Sequence, residues 1–431
     1  MKTPDNHPQR IVLNDEAHAR PPEAMRAPLR ISYLALLTDA ADRAREHVAL
    51  CELAQRFGAI APSHDAPHYS ADYGVFRIKR ERHTEFTRYK FMVAGDFDDP
   101  FEQPALAAVP ADWIAALPGQ LMVAVHAGFQ TADRTLRNPD EISQRMFDGN
   151  ALVGAEIGDG VGIAFTDFRI HGDGFSRLYV QNVNLGPRQA GRMIQRLLEI
   201  DTYRMLALLA LPLARELVPF LEECERKLVE ITTAITTGNE RDEPGLLDRL
   251  TRLSAAVESS ISNTQSRFSA AAAYSELVDT RIAELREQRI QGLQTFSEFT
   301  GRRLAPAMNT CRWVALRQRT LSEGVARASQ LLSTRVGITR ERQNQALLES
   351  MNRRAKMQLR LQQTVEGLSV AAITYYVVGL IGYGAKAVKG VGVELNPDLV
   401  MGLSIPLVAT AIALAVCRTR RAMSRSSVGS E

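Results

Sequence analysis

Two uncharged stretches near the C-terminus constrain the fold of this chain more than any other feature. The first runs from Gly367 to Ala385 and the second from Leu399 to Cys417. A bilayer core of ~30 Å requires about 20 apolar residues in a helix, so each stretch is long enough to cross it. The sequence therefore predicts a two-helix transmembrane hairpin over 367–417. A buried helical hairpin in a water-soluble domain is the alternative interpretation.

Basic residues flank both stretches and predict the orientation of the hairpin. Arg353, Arg354, Lys356 and Arg360 precede the first stretch, and Arg418, Arg420, Arg421 and Arg425 follow the second. Cytoplasmic flanks of membrane spans carry an excess of Lys and Arg. We therefore expect a multi-pass protein of the inner membrane with both termini in the cytoplasm, since the N-terminus also lacks an apolar signal region. The bilayer is a predicted partner, and we expect Arg353, Arg354, Lys356, Arg360, Arg418, Arg420 and Arg421 to contact anionic lipid.

The first 185 residues have the alternating pattern of a sheet with few helices. Leu29 to Leu37 predicts a strand, and Asp39 is a candidate N-cap of the helix that follows. Strands are also predicted at Phe76–Ile78 and Thr84–Val93, with a charged turn between them. Further along the chain, "GDG" (158–160) and "HGDG" (171–174) separate three strands, which indicates an antiparallel meander. The fold class is therefore α+β, with an antiparallel-sheet cytoplasmic domain over 1–185.

From Gly186 onward the pattern is helical. Pro187 is expected in a first helical turn, and Pro212 and Pro219 are expected to kink the helix. A second helix is predicted from about Leu246 to Thr300. A third, of ~80 residues and ~120 Å, is predicted from about Leu304 through the first span. This gives a long-helix stalk or coiled coil over 186–366, the transmembrane hairpin, and a basic cytoplasmic tail over 418–431.

Small and aromatic residues lie on one face of the first predicted span. This face contains Ala372, Tyr375, Gly379, Gly382 and Lys386, with Tyr383 and Gly384 beside it. Small residues allow membrane helices to approach each other closely. The face indicates helix packing or a pore lining in a homo-oligomer, or alternatively packing against the second span of the same chain.

One polar stretch near the N-terminus is dense enough to be a binding site. "NDEAHARPPE" contains Asn14, Asp15, Glu16, His18 and Arg20. These residues are candidates for binding a ligand or an unidentified cytoplasmic partner. The alternative is an extended arm held to the sheet by salt bridges.

The sequence contains no motif that indicates catalysis. All histidines lie in the first 171 residues, but no H-E-x-x-H is present, and "GDGVG" (158–162) lacks the lysine and helix of a phosphate loop. No G-x-S-x-G marks a serine nucleophile. The basic region before the first span lacks the aromatic residues that stack on nucleic-acid bases. We therefore expect no enzyme activity, no cofactor, no metal site and no nucleic-acid partner.

Two long motifs resemble a known family. "LNDEAHARPPEAMRAPLRISYLALL" and "LEIDTYRMLALLALPLARE" are similar to the signatures of the bacterial domain-of-unknown-function family 3422, whose members are predicted to be membrane-anchored. The resemblance covers nearly the whole chain and implies membrane anchoring, but it implies no catalytic residues.

A second resemblance is architectural. A cytoplasmic unit, a long helix, two spans and a basic tail are similar to CorA-type divalent-cation channels, in which the first span ends in Tyr-Gly-Met-Asn. Tyr383 and Gly384 match that motif, whereas Ala385 and Lys386 depart from it. A ring of lysines would repel a divalent cation. The main hypothesis is therefore a non-enzymatic, membrane-anchored sensor or scaffold that is oligomeric, and the alternative is a CorA-like channel or transporter.

Overall fold

The computed structural model describes residues 4–11, 13–14, 23–64, 66–132, 138–237, 243–390 and 396–426. The chain forms two compact units, Met1–Ser329 and Gln330–Glu431. Among the described residues the strands are β1 (Leu29–Leu37), β2 (His68–Asp72), β3 (Arg77–Arg82), β4 (Phe86–Ala94), β5 (Gln120–Thr131), β6 (Val153–Ile157), β7 (Gly162–Thr166), β8 (Ser176–Asn182) and β9 (Gln288–Arg289). The helices are α1 (Ala40–Arg56), α2 (Ala111–Ala115), α3 (Pro139–Met146), α4 (Pro187–Leu208), α5 (Ala210–Thr237), α6 (Glu243–Leu285), α7 (Phe296–Gly390) and α8 (Pro397–Ser426), with a 3₁₀ helix at Ala105–Ala108.

All of these strands belong to one sheet in the first unit. Their order is β2-β3-β4-β1-β5-β8-β7-β6-β9, and every neighbouring pair is antiparallel except β5 and β8. The meander β6-β7-β8 confirms the prediction from the two glycine–aspartate turns. Asp159, in the turn between β6 and β7, has a φ of 65°, which a short polar side chain tolerates better than most. The predicted fold class, an antiparallel-rich sheet followed by long helices, is confirmed.

The first strand and helix form as their sequence predicts. β1 has the predicted bounds. Asp39 caps α1 by accepting the N–H of Asp42 at 2.8 Å, while the Asp42 carboxylate accepts the N–H of Asp39 at 3.0 Å. This reciprocal pair satisfies two N–H groups that the first helical turn leaves without partners. Gly58 follows the helix with a φ of 63°.

The two faces of the sheet pack against different helices. On one face, Leu50 of α1 and Trp113 of α2 lie in a core with Phe91 of β4, and the Trp113 indole donates to the Ala49 carbonyl at 2.6 Å. On the other face, the hydroxyl of Tyr33 in β1 lies 2.9 Å from the hydroxyl of Thr202 in α4. The sheet is therefore buried on both sides in this region.

The β3–β4 region differs from its prediction. Lys79, Arg80, Glu81 and Arg82 were predicted to form a charged turn, but they belong to β3, and the first three are buried. The prediction was wrong because these charges have partners: Glu46 of α1 faces Arg80 and Arg82, and Glu81 pairs with Lys79 and with Arg88 of β4. The strand therefore continues through them.

The second and third predicted helices also have different bounds. α6 ends at Leu285 rather than near Thr300, and Arg286 follows with a φ of 49°. The connection then forms β9, which pairs with β6. α7 begins at Phe296 because Thr295 and Glu298 form a capping box, in which each side chain accepts the other's backbone N–H at 3.2 Å.

Proline positions explain the break between α4 and α5. Pro187 occupies the first turn of α4, as predicted. α4 ends at Leu208, and Pro212 lies in the first turn of α5, where its missing N–H is tolerated. Pro219 lies inside α5, which continues past it.

Helices α5 and α6 and the first part of α7 pack together in the first unit. Buried residues of α7 recur at intervals of three or four, as in Cys311, Val314, Gln318 and Leu321. The Gln318 amide donates to the Ser260 hydroxyl of α6 at 2.9 Å. Arg317 and Glu225 of α5 form a two-hydrogen-bond pair at 2.6 Å.

The second unit contains the rest of α7 and α8. Gly382 of α7 approaches α8 so closely that an added Cβ would lie 2.3 Å from the Met401 sulfur. Each of these two helices contains an 18-residue window that is apolar enough to cross a membrane. The predicted pair of C-terminal spans is confirmed to that extent.

Candidate functional site

The predicted N-terminal site falls largely outside the described residues. Asp15, Glu16, His18 and Arg20 lie outside them, whereas Asn14 is described and exposed. Glu23, the last residue of the "NDEAHARPPE" stretch, is described. Its contacts reveal where the end of this stretch attaches to the body.

Glu23 is attached to the sheet by its side chain. Its carboxylate lies 3.2 Å from Arg77 Nη2, 3.5 Å from Ser70 Oγ and 4.0 Å from Lys90 Nζ. The carboxylate thus joins β2, β3 and β4.

The backbone next to Glu23 is attached to α4. The N–H of Met25 donates to the Pro187 carbonyl at 2.9 Å. At Gly191 an added Cβ would lie 1.7 Å from the Glu23 carbonyl oxygen, so only glycine fits there. The end of the stretch is therefore seated on the first turns of α4.

Beside this attachment lies a buried group of alternating charges on β3, β4 and α4. Glu81 Oε1 is 3.1 Å from Lys79 Nζ, and its other oxygen pairs with Arg88. Arg88 Nη1 lies 2.8 Å from Glu199 of α4. The side chains of all four residues are less than 10% exposed.

The series of ion pairs continues onto α6. Glu199 pairs with Arg281 at 2.5 Å, and Arg281 lies 3.0 Å from Glu284. Arg196 of α4 reaches Glu284 at 2.8 Å. We call this set the buried ion-pair chain after its four buried members, Lys79, Glu81, Arg88 and Glu199; the other three, Arg281, Glu284 and Arg196, are partly exposed. It links two strands to two helices with opposite charges at every step.

Burial and neighbouring charges determine the protonation of Glu81, Glu199 and the adjacent Lys90. Burial opposes ionisation of Glu81, but the cations of Arg88 and Lys79 outweigh it and lower the pKa of Glu81 to about 2. The same balance, with Arg88 outweighing burial, lowers the pKa of Glu199. Burial also lowers the pKa of Lys90 to about 8, with Glu23 acting in the opposite direction. The carboxylates of Glu81 and Glu199 are therefore charged near neutral pH.

A second charged group occupies the opposite face of the same hairpin. Glu46 of α1 accepts from the Tyr89 hydroxyl at 2.8 Å and from Arg82 Nη2 at 2.9 Å. Arg80 is fully buried, with its Nε 3.9 Å from Glu46. Glu46 thus fastens α1 to the β3–β4 hairpin.

A buried serine–histidine pair lies at the centre of the sheet. Ser32 Oγ is 2.9 Å from His126 Nδ1 and also accepts the N–H of Leu106 at 2.9 Å. The His126 ring stacks on Phe175 at 3.8 Å, and burial lowers the pKa of His126 to about 4. Ser32 is completely buried, so a substrate has no access to its hydroxyl. The pair holds the 3₁₀ helix against the sheet.

His171 joins two loops beside the meander. Its two ring nitrogens each lie 2.9 Å from a carboxylate oxygen, one of Asp148 and one of Asp167. Asn150 donates to Asp167 at 3.0 Å. Within the described parts of the chain, no three or more His, Cys, Asp or Glu side chains form a group suited to hold a metal ion.

The residues predicted to lie in or next to the membrane differ in how deeply they are buried. Of the predicted face, Gly382 is buried against α8, Gly379 is half-buried, and Ala372, Tyr375, Tyr383, Gly384 and Lys386 are exposed. Arg353, Arg354, Lys356, Arg360 and Arg418 are exposed, and Arg420 and Arg421 lie in α8. Of the predicted face, Gly382 therefore packs against α8, while most of the other residues remain exposed.

Sequence reasoning missed the buried ion-pair chain, although its signals are visible. "TRYKF" (87–91) alternates as a strand does, with both of its charges on one face, whereas "RIKRER" (77–82) carries charges on both faces. A strand with charges on both faces requires countercharges from packed helices. The acids of "LEIDTYR" (198–204) are the place to look for them, and Glu199 is one of the partners found.

The comparisons with known proteins agree with one of the two resemblances. The model of a protein family of unknown function, DUF3422, matches residues 5–423. Neither the curated proteins nor the solved structures contain a match. The resemblance to CorA-type channels gains no support from these comparisons.

Proposed function

We propose that this chain, which belongs to the DUF3422 family, is a non-enzymatic, membrane-anchored sensor or scaffold whose body lies in the cytoplasm. The observation that carries the proposal is the exposed apolar surface of the second unit. None of the apolar window of α8 is buried. Leu380 of α7 and Leu407 of α8 are 70% and 67% exposed, respectively.

Lipid is the environment that suits this surface. Burying one leucine side chain away from water is worth about 1.5–3 kcal/mol. The exposed apolar side chains of the second unit include Ile373, Leu380, Leu399, Leu403, Ile405, Leu407 and Leu414. Contiguous apolar surface of this kind marks a membrane or protein interaction. Its position between the two basic flanks favours a bilayer.

The basic flanks support a cytoplasmic body and tail. Arg353 and Arg360 are exposed before the apolar part of α7, and Arg418 is exposed at the end of the apolar part of α8. Arginines on both flanks favour retention of both flanks inside the cell. The same cations are placed to attract anionic headgroups.

The arrangement of charge in the body supports a non-enzymatic role. The buried ion-pair chain and the Glu46 group connect strands to helices, and their carboxylates are paired with cations. Groups in such pairs stabilise or position elements, whereas catalysis requires a group that reaches a substrate. A body of this kind is suited to binding and to scaffolding.

Open glycines on α7 support self-association. An added Cβ at Gly379 or Gly384 would meet no atom within 4 Å. Glycines that are not used for packing on α8 leave room for a helix of a second copy to approach. We therefore propose a homo-oligomer that uses this side of α7.

The topology is testable with a reporter enzyme, alkaline phosphatase, which is active only outside the cytoplasm. Fused to the C-terminus of the full chain, it should be inactive, because α8 returns the chain to the cytoplasm. Leu407→Arg places a charge at the centre of the apolar stretch, which disfavours insertion by about 3 kcal/mol. This variant should leave α8 outside and activate the reporter.

The matched control is Leu347→Arg, a similarly exposed leucine of α7 outside both apolar stretches. It should leave the reporter inactive. A full chain that fractionates with the cytosol, or an active reporter on the unaltered chain, would contradict the proposed topology.

A further inference from the structure

A pocket of about 540 Å³ opens beside the turn between β3 and β4. Its walls come from α1, the turn, α4 and α6, and they include Arg43, Arg82, Thr84, Phe86, Tyr203 and Tyr274. Pockets that bind small molecules are typically about 300–1,000 Å³. The whole pocket lies within the first unit, apart from the two candidate membrane spans.

The polar groups of the pocket are mainly hydrogen-bond donors. Arg43 donates from Nη2 to the Thr84 carbonyl at 3.1 Å, and the rest of its guanidinium is exposed. Arg82 donates from Nε and Nη2 to Glu46, at 3.1 and 2.9 Å. Its Nη1 has no hydrogen-bond partner among the described residues. Two guanidinium groups thus present free N–H bonds to the same space.

Positive charge exceeds negative charge next to the pocket. Glu46 is the carboxylate paired with Arg82, and it also faces the buried Arg80. One carboxylate therefore faces two guanidinium groups, and Arg43 adds a third cation. The nearby Glu85 is already bound by Arg267 and by the Tyr274 hydroxyl. An anion entering the pocket would meet an uncompensated positive potential.

An aromatic wall lies beside the cations. The rings of Tyr203 and Tyr274 stack with centroids 5.7 Å apart and an interplanar angle of 15°. Glu85 fixes Tyr274 through its hydroxyl. The Tyr203 hydroxyl has no hydrogen bond to a described residue, and burial raises its pKa, so it remains a donor. The wall offers a flat apolar surface and one additional donor.

We propose that this pocket binds a small oxyanion, a phosphate or carboxylate, that is attached to a planar ring. The anionic oxygens accept from Arg43, Arg82 and the Tyr203 hydroxyl, and the ring packs against the tyrosine pair. Guanidinium groups bind such oxygens through charge-assisted hydrogen bonds. The pocket gives the cytoplasmic body a ligand-binding site at the point where α1, the sheet, α4 and α6 meet.

The test is calorimetric titration of the full chain in detergent micelles at low ionic strength. The probes are phenyl phosphate, benzoate and inorganic phosphate. Phenyl phosphate or benzoate should bind, and inorganic phosphate should bind at least about fivefold more weakly, because it lacks a ring for the tyrosine wall.

The variants separate the pocket from general surface charge. Arg43→Gln should weaken binding about tenfold or more, since it removes one charge-assisted contact. The matched control, Arg45→Gln, changes another exposed arginine of α1 outside the pocket and should leave the affinity unchanged. Tyr203→Phe removes only the hydroxyl and should weaken binding several-fold.

Three results would overturn the proposal. The first is no binding of phenyl phosphate or benzoate at millimolar concentration by a folded chain. The second is an equal loss of affinity in Arg43→Gln and Arg45→Gln, which would indicate non-specific attraction. The third is inorganic phosphate binding as tightly as phenyl phosphate, because the tyrosine wall would then play no part.

Discussion

Gly191→Ala is expected to destabilise the first unit, although alanine is the better helix former. In an open helical position, replacing glycine by alanine stabilises a protein by up to ~1 kcal/mol. At Gly191 the new Cβ would lie 1.7 Å from the Glu23 carbonyl oxygen. The carbonyl would have to retreat by more than an ångström to reach the 3.0 Å that real Cβ contacts respect.

The magnitude follows from what that retreat breaks. The hydrogen bond from Met25 to Pro187 is worth about 0.5–1.5 kcal/mol, and overpacking typically costs about 1–3 kcal/mol. The partly exposed pair of Glu23 and Arg77 adds at most ~1 kcal/mol. After the helix-propensity gain, the expected net loss is about 1–3 kcal/mol in the free energy of unfolding.

Urea unfolding of the detergent-solubilised chain measures this loss. Both tryptophans, Trp113 and Trp313, lie in the first unit and report its unfolding by fluorescence. Gly301→Ala is the matched control, because this glycine lies in α7 with no atom within 4 Å of an added Cβ. The control should raise the midpoint. If Gly191→Ala raises it equally, the docking of Glu23 on α4 described above is incorrect.

Two further predictions concern acid stability. The pKa of Glu81 is about 2 in the folded chain against an ordinary value of 4.5, so its ionised form contributes stability that is lost as the pH falls through this window. Glu81→Gln should reduce the free energy of unfolding at pH 7 by an amount on the order of 3 kcal/mol. When the urea midpoint is plotted against pH, the variant should also lose less stability than the unaltered chain below pH 4.5. An unchanged pH dependence below 4.5 would contradict the pairing. The pKa of His126 is about 4 against an ordinary 6.5, so the unfolded chain binds the extra proton and stability falls as the pH drops from 6.5 to 4. His126→Asn should remove that slope, and retention of the full slope would assign it to other groups.

Local signals in the sequence predicted much of the sheet. The apolar run of β1, the Asp39 cap and the glycine–aspartate turns of the meander act through neighbouring residues, so a single sequence reveals them. The capping box of Thr295 and Glu298 is equally local and was overlooked. It marks the start of α7 at Phe296, whereas the helical pattern alone predicted a start near Leu304.

The buried charges required information from distant parts of the chain. Arg88 and Glu199 are 111 residues apart, and each alone resembles an exposed charge. Their pairing depends on α4 crossing the β3–β4 hairpin, a tertiary arrangement that no local pattern encodes. The close approach at Gly191 has the same origin, since a glycine inside a helix does not reveal which backbone passes over it.

The two-residue strand β9 has a consequence for synthesis on the ribosome. It covers the open edge of β6, but it follows β8 by more than 100 residues of chain. At translation speeds of about 5–20 residues per second, this delay is roughly 5–20 s. Throughout that interval the nascent sheet displays an unpaired border, the kind of edge that recruits other chains. Newborn molecules stalled or truncated before Gln288 should therefore be the form that chaperones retain.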